Sequence, residues 1–254
     1  MRFGDLHLLN RGYRRTLQFY MTAPAPCPYL EGKRERKAFT NLAISDADSV
    51  HNTLTQFGFR RSQSIAYRPT CPNCNACRSV RVLVRDFDMT KRWRRVLSRN
   101  KDVIASPARN DARREQYRLL KKYLKTRHEE GGMSGMGFRD YASMVSDSPV
   151  QSLVIEYRLG EGPDAPLIGA SISDILQDGL SMVYSFFDPD YSNRSLGTLM
   201  ILEHISRAAE LGLPHVYLGY WVKNSPKMDY KRSFQPLEVL SGDEWRLMDQ
   251  TNNA

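Results

Sequence analysis

The chain has 254 residues, room for one large or two small domains at about 100–200 residues each. Hydrophobic residues make up 41% and charged residues 26%, with 16 glycines, 13 prolines and four cysteines. That balance excludes disordered, collagen-like and disulfide-scaffold classes. No run approaches the roughly 18 apolar residues a bilayer requires, so no membrane partner is expected. The opening MRFGDLHLLNRGY lacks a signal's apolar core, and a reducing cytoplasm is the expected compartment. The net charge of +9 is unevenly spread: Lys91–Arg127 holds 14 Lys/Arg against Asp102, Asp111 and Glu115. Such a block is the footprint of a polyanion partner; the plain alternative is a solvated helix face.

In chain order, residues 1 to 30 form an opening segment ending in APAPCPY, where alternating prolines forbid a helix. Ser45 or Asp46 caps a helix carrying Val50, Leu54 and Phe57, stopped by Gly58. Strands follow at Gln63–Tyr67 and Ser79–Val84, with the cysteine cluster as the turn between them. Lys91–Lys101 and Ala112–His128 read as helices, and Gly131–Gly137, with four glycines, as a domain break. Beyond it, Leu153–Arg158, Leu167–Ile175 and Leu180–Phe187 form a β meander. A helix from about Leu196 to Leu211 stops at Gly212. Then come a strand at His215–Trp221, a helical stretch near Met228–Phe234 and a strand at Leu237–Leu240. The expected fold is α/β (α+β): a cysteine-containing α/β domain with basic helices over 1–130, and an N-acetyltransferase-like acyltransferase domain over 138–254.

Four regions bear chemistry. Arg194 and Gly197 fit the phosphate loop by which N-acetyltransferases hold acyl-CoA, but Leu199 stands where Gly or Ala belongs, which favours another activated acyl donor. Cys71, Cys74 and Cys77, with Cys27 as a distant fourth, offer thiolates to zinc or an iron–sulfur cluster, or are simply reduced thiols in a turn. Arg78 and Arg81 follow directly and can receive an anion, unless they line a solvated strand. Tyr217–Lys231 interleaves aromatics with lysines at a strand end, as a cleft wall or as core aromatics with a polar rim. Asp174, at the end of an apolar strand, has either a partner or a task, or is an exposed strand-end carboxylate. The absence of G-x-x-x-x-G-K-[ST], G-x-S-x-G and H-E-x-x-H argues against ATP-driven activation and the commonest hydrolases.

At Cys27-Pro-Tyr, Arg34-Glu-Arg-Lys37, Gly58-Phe-Arg-Arg through Cys71, Val183–Pro189, Ser195–Thr198, Tyr217–Trp221 and Lys227–Lys231, the sequence resembles the bacterial aspartate/glutamate leucyltransferases. These are relatives of the arginyl-tRNA–protein transferases. The resemblance spans nearly the whole chain. It implies a cytoplasmic aminoacyltransferase that moves leucine from leucyl-tRNA to an N-terminal Asp or Glu, creating a degradation signal of the N-degron pathway. Arginyl transfer by the same chemistry and CoA-dependent N-acetylation are the alternatives, with a non-enzymatic RNA-binding or redox module beyond them.

Under that reading Asp174, Tyr220 and Lys227 are the expected catalytic residues. Arg78, Arg81, Arg194, Gly197, Trp221, Tyr230 and Lys231 are expected to bind substrate. Lys121, Lys122 and Lys125 are expected to contact tRNA. No cofactor is required, although Cys27, Cys71, Cys74 and Cys77 are kept as ligands for zinc or an iron–sulfur cluster.

Overall fold

A computed structural model describes residues 16–127, 133, 135–162, 164–223 and 225–248. Residues 1–15 of the opening segment, His128, Gly131 and Gly132 of the glycine break, and Asn224 lie outside the described residues.

The first third of the chain builds β1 (Tyr20–Met21), β2 (Ala25–Pro26), β3 (Arg34–Glu35), β4 (Lys37–Asn41), α1 (Ala47–Gln56), β5 (Arg60–Ser62) and β6 (Ile65–Pro69). β1, β4, β6 and β5 form a four-stranded sheet in that order. α1 presents Val50, His51 and Leu54 inward, and Leu17, Leu42, Phe59, Ala66 and Val150 complete this small core.

The remainder runs β7 (Cys77–Leu83), α2 (Lys91–Arg99), β8 (Val103–Ala108), α3 (Arg114–Arg127), α4 (Phe138–Ser146), β9 (Ser152–Leu159), β10 (Leu167–Leu176) and β11 (Gly179–Phe187). A 3-10 turn at Pro189–Arg194 leads into α5 (Leu196–Glu210) and β12 (His215–Val222). α6 (Pro226–Asp229), a 3-10 turn at Tyr230–Ser233, β13 (Leu237–Ser241) and β14 (Glu244–Leu247) finish the described chain. These strands form one eight-stranded sheet in the order β14-β13-β7-β12-β11-β10-β9-β8.

Alternation along β9 shows how the sheet is covered. Ile155 and Tyr157 point into a core shared with α5 and with Trp93 of α2, whereas Val154 faces a second core built with α3 and α4. Covering on both faces makes β10 an almost continuous buried run, as an interior strand should be. Trp93 stacks on Phe234 with centroids 4.6 Å apart, tying α2 to the turn before β13.

Three expectations need correction. The glycine stretch does not separate the sheets: β7, from the expected first domain, lies between β13 and β12 in the middle of the large sheet, and β8 forms its far edge. The chain passes from the small sheet to the large one between β6 and β7, at the cysteine segment. The expected strand at Gln63–Tyr67 is two short strands joined by a turn at Gln63, whose φ of +51° breaks the ladder. β1 to β4, β8, α4 and β14 are not among the expected elements; β8 carries a proline and α4 begins directly after a glycine-rich stretch, both of which obscure the hydrophobic period.

Candidate active site

β11 and β12 run parallel and pair only where Gly179–Ser181 meet His215–Tyr217. Past that point no ladder joins them, and the sheet is split. Two features of β12 shape the split. A register shift against β7 falls between Tyr217 and Gly219, and Gly219 takes a φ of +75°. A glycine there leaves room for a neighbour, and the neighbour is Arg60: a Cβ built on Gly219 would overlap its guanidinium. From β5, Arg60 reaches across the split and donates to the carbonyls of Met182 (2.7 Å) and Val183 (3.2 Å) on β11. Its guanidinium carbon also stands 5.8 Å from the Tyr220 ring centroid.

Tyr220 is buried, and its hydroxyl donates toward the carbonyls of Gly58 (2.9 Å) and Tyr67 (3.0 Å). Burial pushes this phenol well above the ordinary tyrosine range, so it stays protonated. Tyr220 therefore clamps the small sheet to β12, which corrects the expected catalytic role: its hydroxyl is already committed. Lys231 follows on the adjoining 3-10 turn, only 5% exposed, with its ammonium donating to the Tyr220 carbonyl. Burial first, and the Arg60 charge second, hold Lys231 well below the usual lysine range. Tyr230 beside it is 48% exposed, and Lys227 stands in solvent on α6. Trp221 packs against the α5-side core, and its indole N–H is buried without a hydrogen-bond partner.

Asp174 is elsewhere and does something else. Its side chain is 0% exposed. Arg61 grips it through Nη2 at 2.6 Å and Nε at 2.8 and 2.9 Å, His51 Nε2 lies 2.9 Å away, and Ser152 donates at 3.1 Å. Burial alone raises the pKa of a carboxyl, but these hydrogen bonds and the Arg61 charge prevail and hold Asp174 below the ordinary range. The expected catalytic carboxylate is sealed from any substrate and joins α1 and β5 to β10. The apolar context that drew attention to it came from burial rather than from a cleft.

Arg81 is likewise already paired. It donates to Glu238 (2.7 Å), Tyr217 (3.0 Å) and Gln56 (3.2 Å), and lies 4.3 Å over the Trp245 ring. Asp178 joins the same network through Tyr217 (2.8 Å) and His215 (3.0 Å). Arg78 reaches the Leu240 carbonyl at 3.4 Å. The expectation that Arg81 awaits an anion is thus corrected by its own acidic neighbours.

The basic block divides between the two faces of the sheet, yet its helices converge at the start of α5. Arg99 and Asn100, at the end of α2, donate to the carbonyls of Asn193 and Arg194. Lys122 of α3 pairs with Asp188 and Asp190, each at 2.6 Å, and Arg127 lies 5.8 Å from the Phe187 ring. Lys121 and Lys125 are exposed on the same helix. Arg194 makes a two-pronged pair with Asp102 (2.7 and 2.9 Å), and Gly197 keeps the first turn of α5 close to Phe187. Leu199, the misfit in the phosphate loop, is a buried core residue.

The four cysteines gather in one corner and are all free. Burial, then the neighbouring Cys27, Cys71 and Cys74, push the Cys77 thiol up to about 12. Cys71 Sγ accepts from the Arg36 backbone N–H at 3.4 Å. Among the described residues no three His, Cys, Asp or Glu side chains form a set that could hold a metal ion. The arrangement does not fit the expected zinc or iron–sulfur ligation, and no chemical step is routed through such a group.

The residues missed by sequence reasoning are Arg60, Arg61 and His51. Two consecutive arginines on a strand must point to opposite faces, and a glycine inside the β-rich Tyr217–Trp221 run signals a close approach; both signs are present in the sequence.

Comparison with known proteins adds a consistent picture. Residues 25–95 match the family "Arginine-tRNA-protein transferase, N terminus", and residues 115–241 match "Arginine-tRNA-protein transferase, C terminus". The aspartate/glutamate leucyltransferase of Hyphomonas neptunium is 62% identical over 246 residues, covering 97% of this chain and 98% of that protein. That of Parvibaculum lavamentivorans is 54% identical over 239 residues, covering 94% and 98%. Among solved structures, L-PGS from Bacillus licheniformis overlaps 74% of this chain and 56% of its own, with a TM-score of 0.43 at 12% identity. With identity of this extent running through both halves, the chain belongs to the aspartate/glutamate leucyltransferase family.

Proposed function

We propose that this enzyme transfers leucine from leucyl-tRNA to the α-amine of an N-terminal Asp or Glu, marking the recipient for degradation by the N-end rule, in the cytoplasm. The observation that carries this reading is the near-full-length identity to leucyltransferases. The donor is an ester and already activated, so no nucleotide hydrolysis is needed. The nucleophile is an α-amine whose free pKa of about 7.7–8.0 leaves roughly a tenth of it neutral at pH 7. No strong base is required, and the sealing of Asp174 is no obstacle. Alignment of amine and ester, with backbone donors toward the tetrahedral oxyanion, supplies the main acceleration. The split between β11 and β12 offers strand backbone that has no partner across the gap.

Lys121, Lys122 and Lys125, with Arg99 and Arg127, flank the turn where β11 gives way to α5, and would take acceptor-stem phosphates. Tyr230, exposed beside Lys231, would receive the leucyl side chain or the terminal adenine. Incubation with labelled leucyl-tRNA or arginyl-tRNA and peptides beginning Asp, Glu, Asn or Lys tests the reading. Leucine is expected on the Asp and Glu peptides; intact donors and unmodified peptides would overturn it.

A further inference from the structure

Among the described residues, Arg60 and Lys231 are cations drawn inward with no carboxylate bound to either. The Lys231 ammonium donates to the Tyr220 carbonyl, and the other charge that bears on it is that of Arg60. One of its three N–H donors is used. Arg60 spends one terminal nitrogen on the Met182 and Val183 carbonyls, and its remaining donors have no hydrogen-bond acceptor among the described residues. Burial of Lys231 beside the half-buried Arg60 disfavours its ammonium form, and a bound carboxylate would offset that cost. The other cations expected at the site are engaged or in solvent: Arg81 holds Glu238, Arg194 holds Asp102, Arg78 reaches Leu240, and Lys227 is exposed.

The geometry points to Arg60 and Lys231 as the residues that receive the side-chain carboxylate of the acceptor's first residue and so select Asp and Glu; this rests on the leucyl-transfer reading above. A carboxylate on a short side chain suits this inward-facing pair of donors, one buried and one half-buried, with the planar guanidinium set against it. A phosphodiester backbone is better matched by the exposed lysines and arginines of α2 and α3. The leucyl α-ammonium of the donor would be repelled by the pair. Gly219 belongs to the same device, because a side chain there would displace the guanidinium.

The test uses the full chain, saturating leucyl-tRNA and matched peptides beginning Asp, Asn, Glu or Gln. Arg60→Met and Lys231→Met should each lower kcat/KM for the Asp and Glu peptides about ten- to hundredfold, as expected for losing a hydrogen bond to a charged group. Their turnover of Asn and Gln peptides, and the KM for leucyl-tRNA, should stay within about twofold, so the acid-over-amide preference collapses. If activity falls equally for acid and amide peptides, the pair is structural and the assignment is overturned. A rise in the leucyl-tRNA KM instead would place a donor phosphate there and overturn it as well. Should a methionine variant fail to fold, Arg60→Gln and Lys231→Gln remove the charge while keeping a polar side chain; an acid-over-amide preference unchanged in these would also overturn the assignment. Wild-type product formation separates the two claims. Its absence removes the proposed function and this assignment with it, whereas its presence with unaltered preference removes the assignment alone.

Discussion

Arg60 and Arg61 are adjacent on one short strand and meet opposite fates. Arg61 turns to a carboxylate that is fully enclosed and fully hydrogen-bonded. Arg60 turns to the split, where it finds carbonyls, an aromatic face and another cation. The first site is electrically closed and fastens the small sheet to the large one. The second leaves Arg60 and Lys231 with no carboxylate partner among the described residues at the place where the large sheet opens. Burial of a charge is therefore a poor guide to function in this protein; whether the charge is already compensated is a better one.

Breaking the closed site should have the largest effect. Asp174→Ala leaves Arg61 buried and unpaired, which costs about 3–5 kcal/mol and should appear as a large drop in the urea midpoint. The double change Arg61→Met with Asp174→Leu should recover much of that loss, because no charge is left stranded. A double variant as unstable as the single one would contradict the view of this pair as a compensated tether.

His204 on α5 sharpens the comparison from the neutral side. It is buried, with Nδ1 2.6 Å from the Met200 carbonyl and Nε2 2.7 Å from Ser173 Oγ. Burial lowers its pKa from 6.5 to about 4. The unfolded chain takes up this proton below about pH 6.5 while the folded chain does so only near pH 4, so stability falls as pH drops through that window. The expected loss is about 3 kcal/mol, and His204→Gln should flatten that part of the stability-against-pH curve.

Gly219→Ala acts on the open site. It strains a backbone of positive φ and displaces Arg60, so a loss of about 1–3 kcal/mol in stability is expected, with a further loss of activity. Kinetics at a temperature where the variant remains folded separate the two effects. Smallest of all is the response of the fold to neutralising Lys121, Lys122 and Lys125 together. The Lys122 pairs are on the surface and contribute at most about 1 kcal/mol. The salt dependence of tRNA affinity should nonetheless become shallower, which titration at several ionic strengths would reveal.

Much of this was legible in the residues. The β meander, the long helix stopping at Gly212, the strand at His215 and the basic block all lie where periodicity and turn chemistry put them, because those signals are local. Asp174 shows the limit. An aspartate among apolar neighbours announces that it is unusual, but the residues that satisfy it, His51 and Arg61, lie more than a hundred positions away. Arg81 and Tyr220 mislead for the same reason, since their partners arrive from α1, β13 and the small sheet.

By itself the sequence determined the family, the mixed α/β character, the boundaries of the long helices and of the β meander, and the concentration of positive charge. Each of these follows from local patterns or from an ordered string of motifs. Only the tertiary structure decided that β7 belongs in the middle of the large sheet, that Arg61 closes on Asp174, and that Arg60 and Lys231 have no carboxylate partner among the described residues. Charge compensation depends on what long-range packing brings within a few ångströms, and no short stretch of sequence encodes that distance.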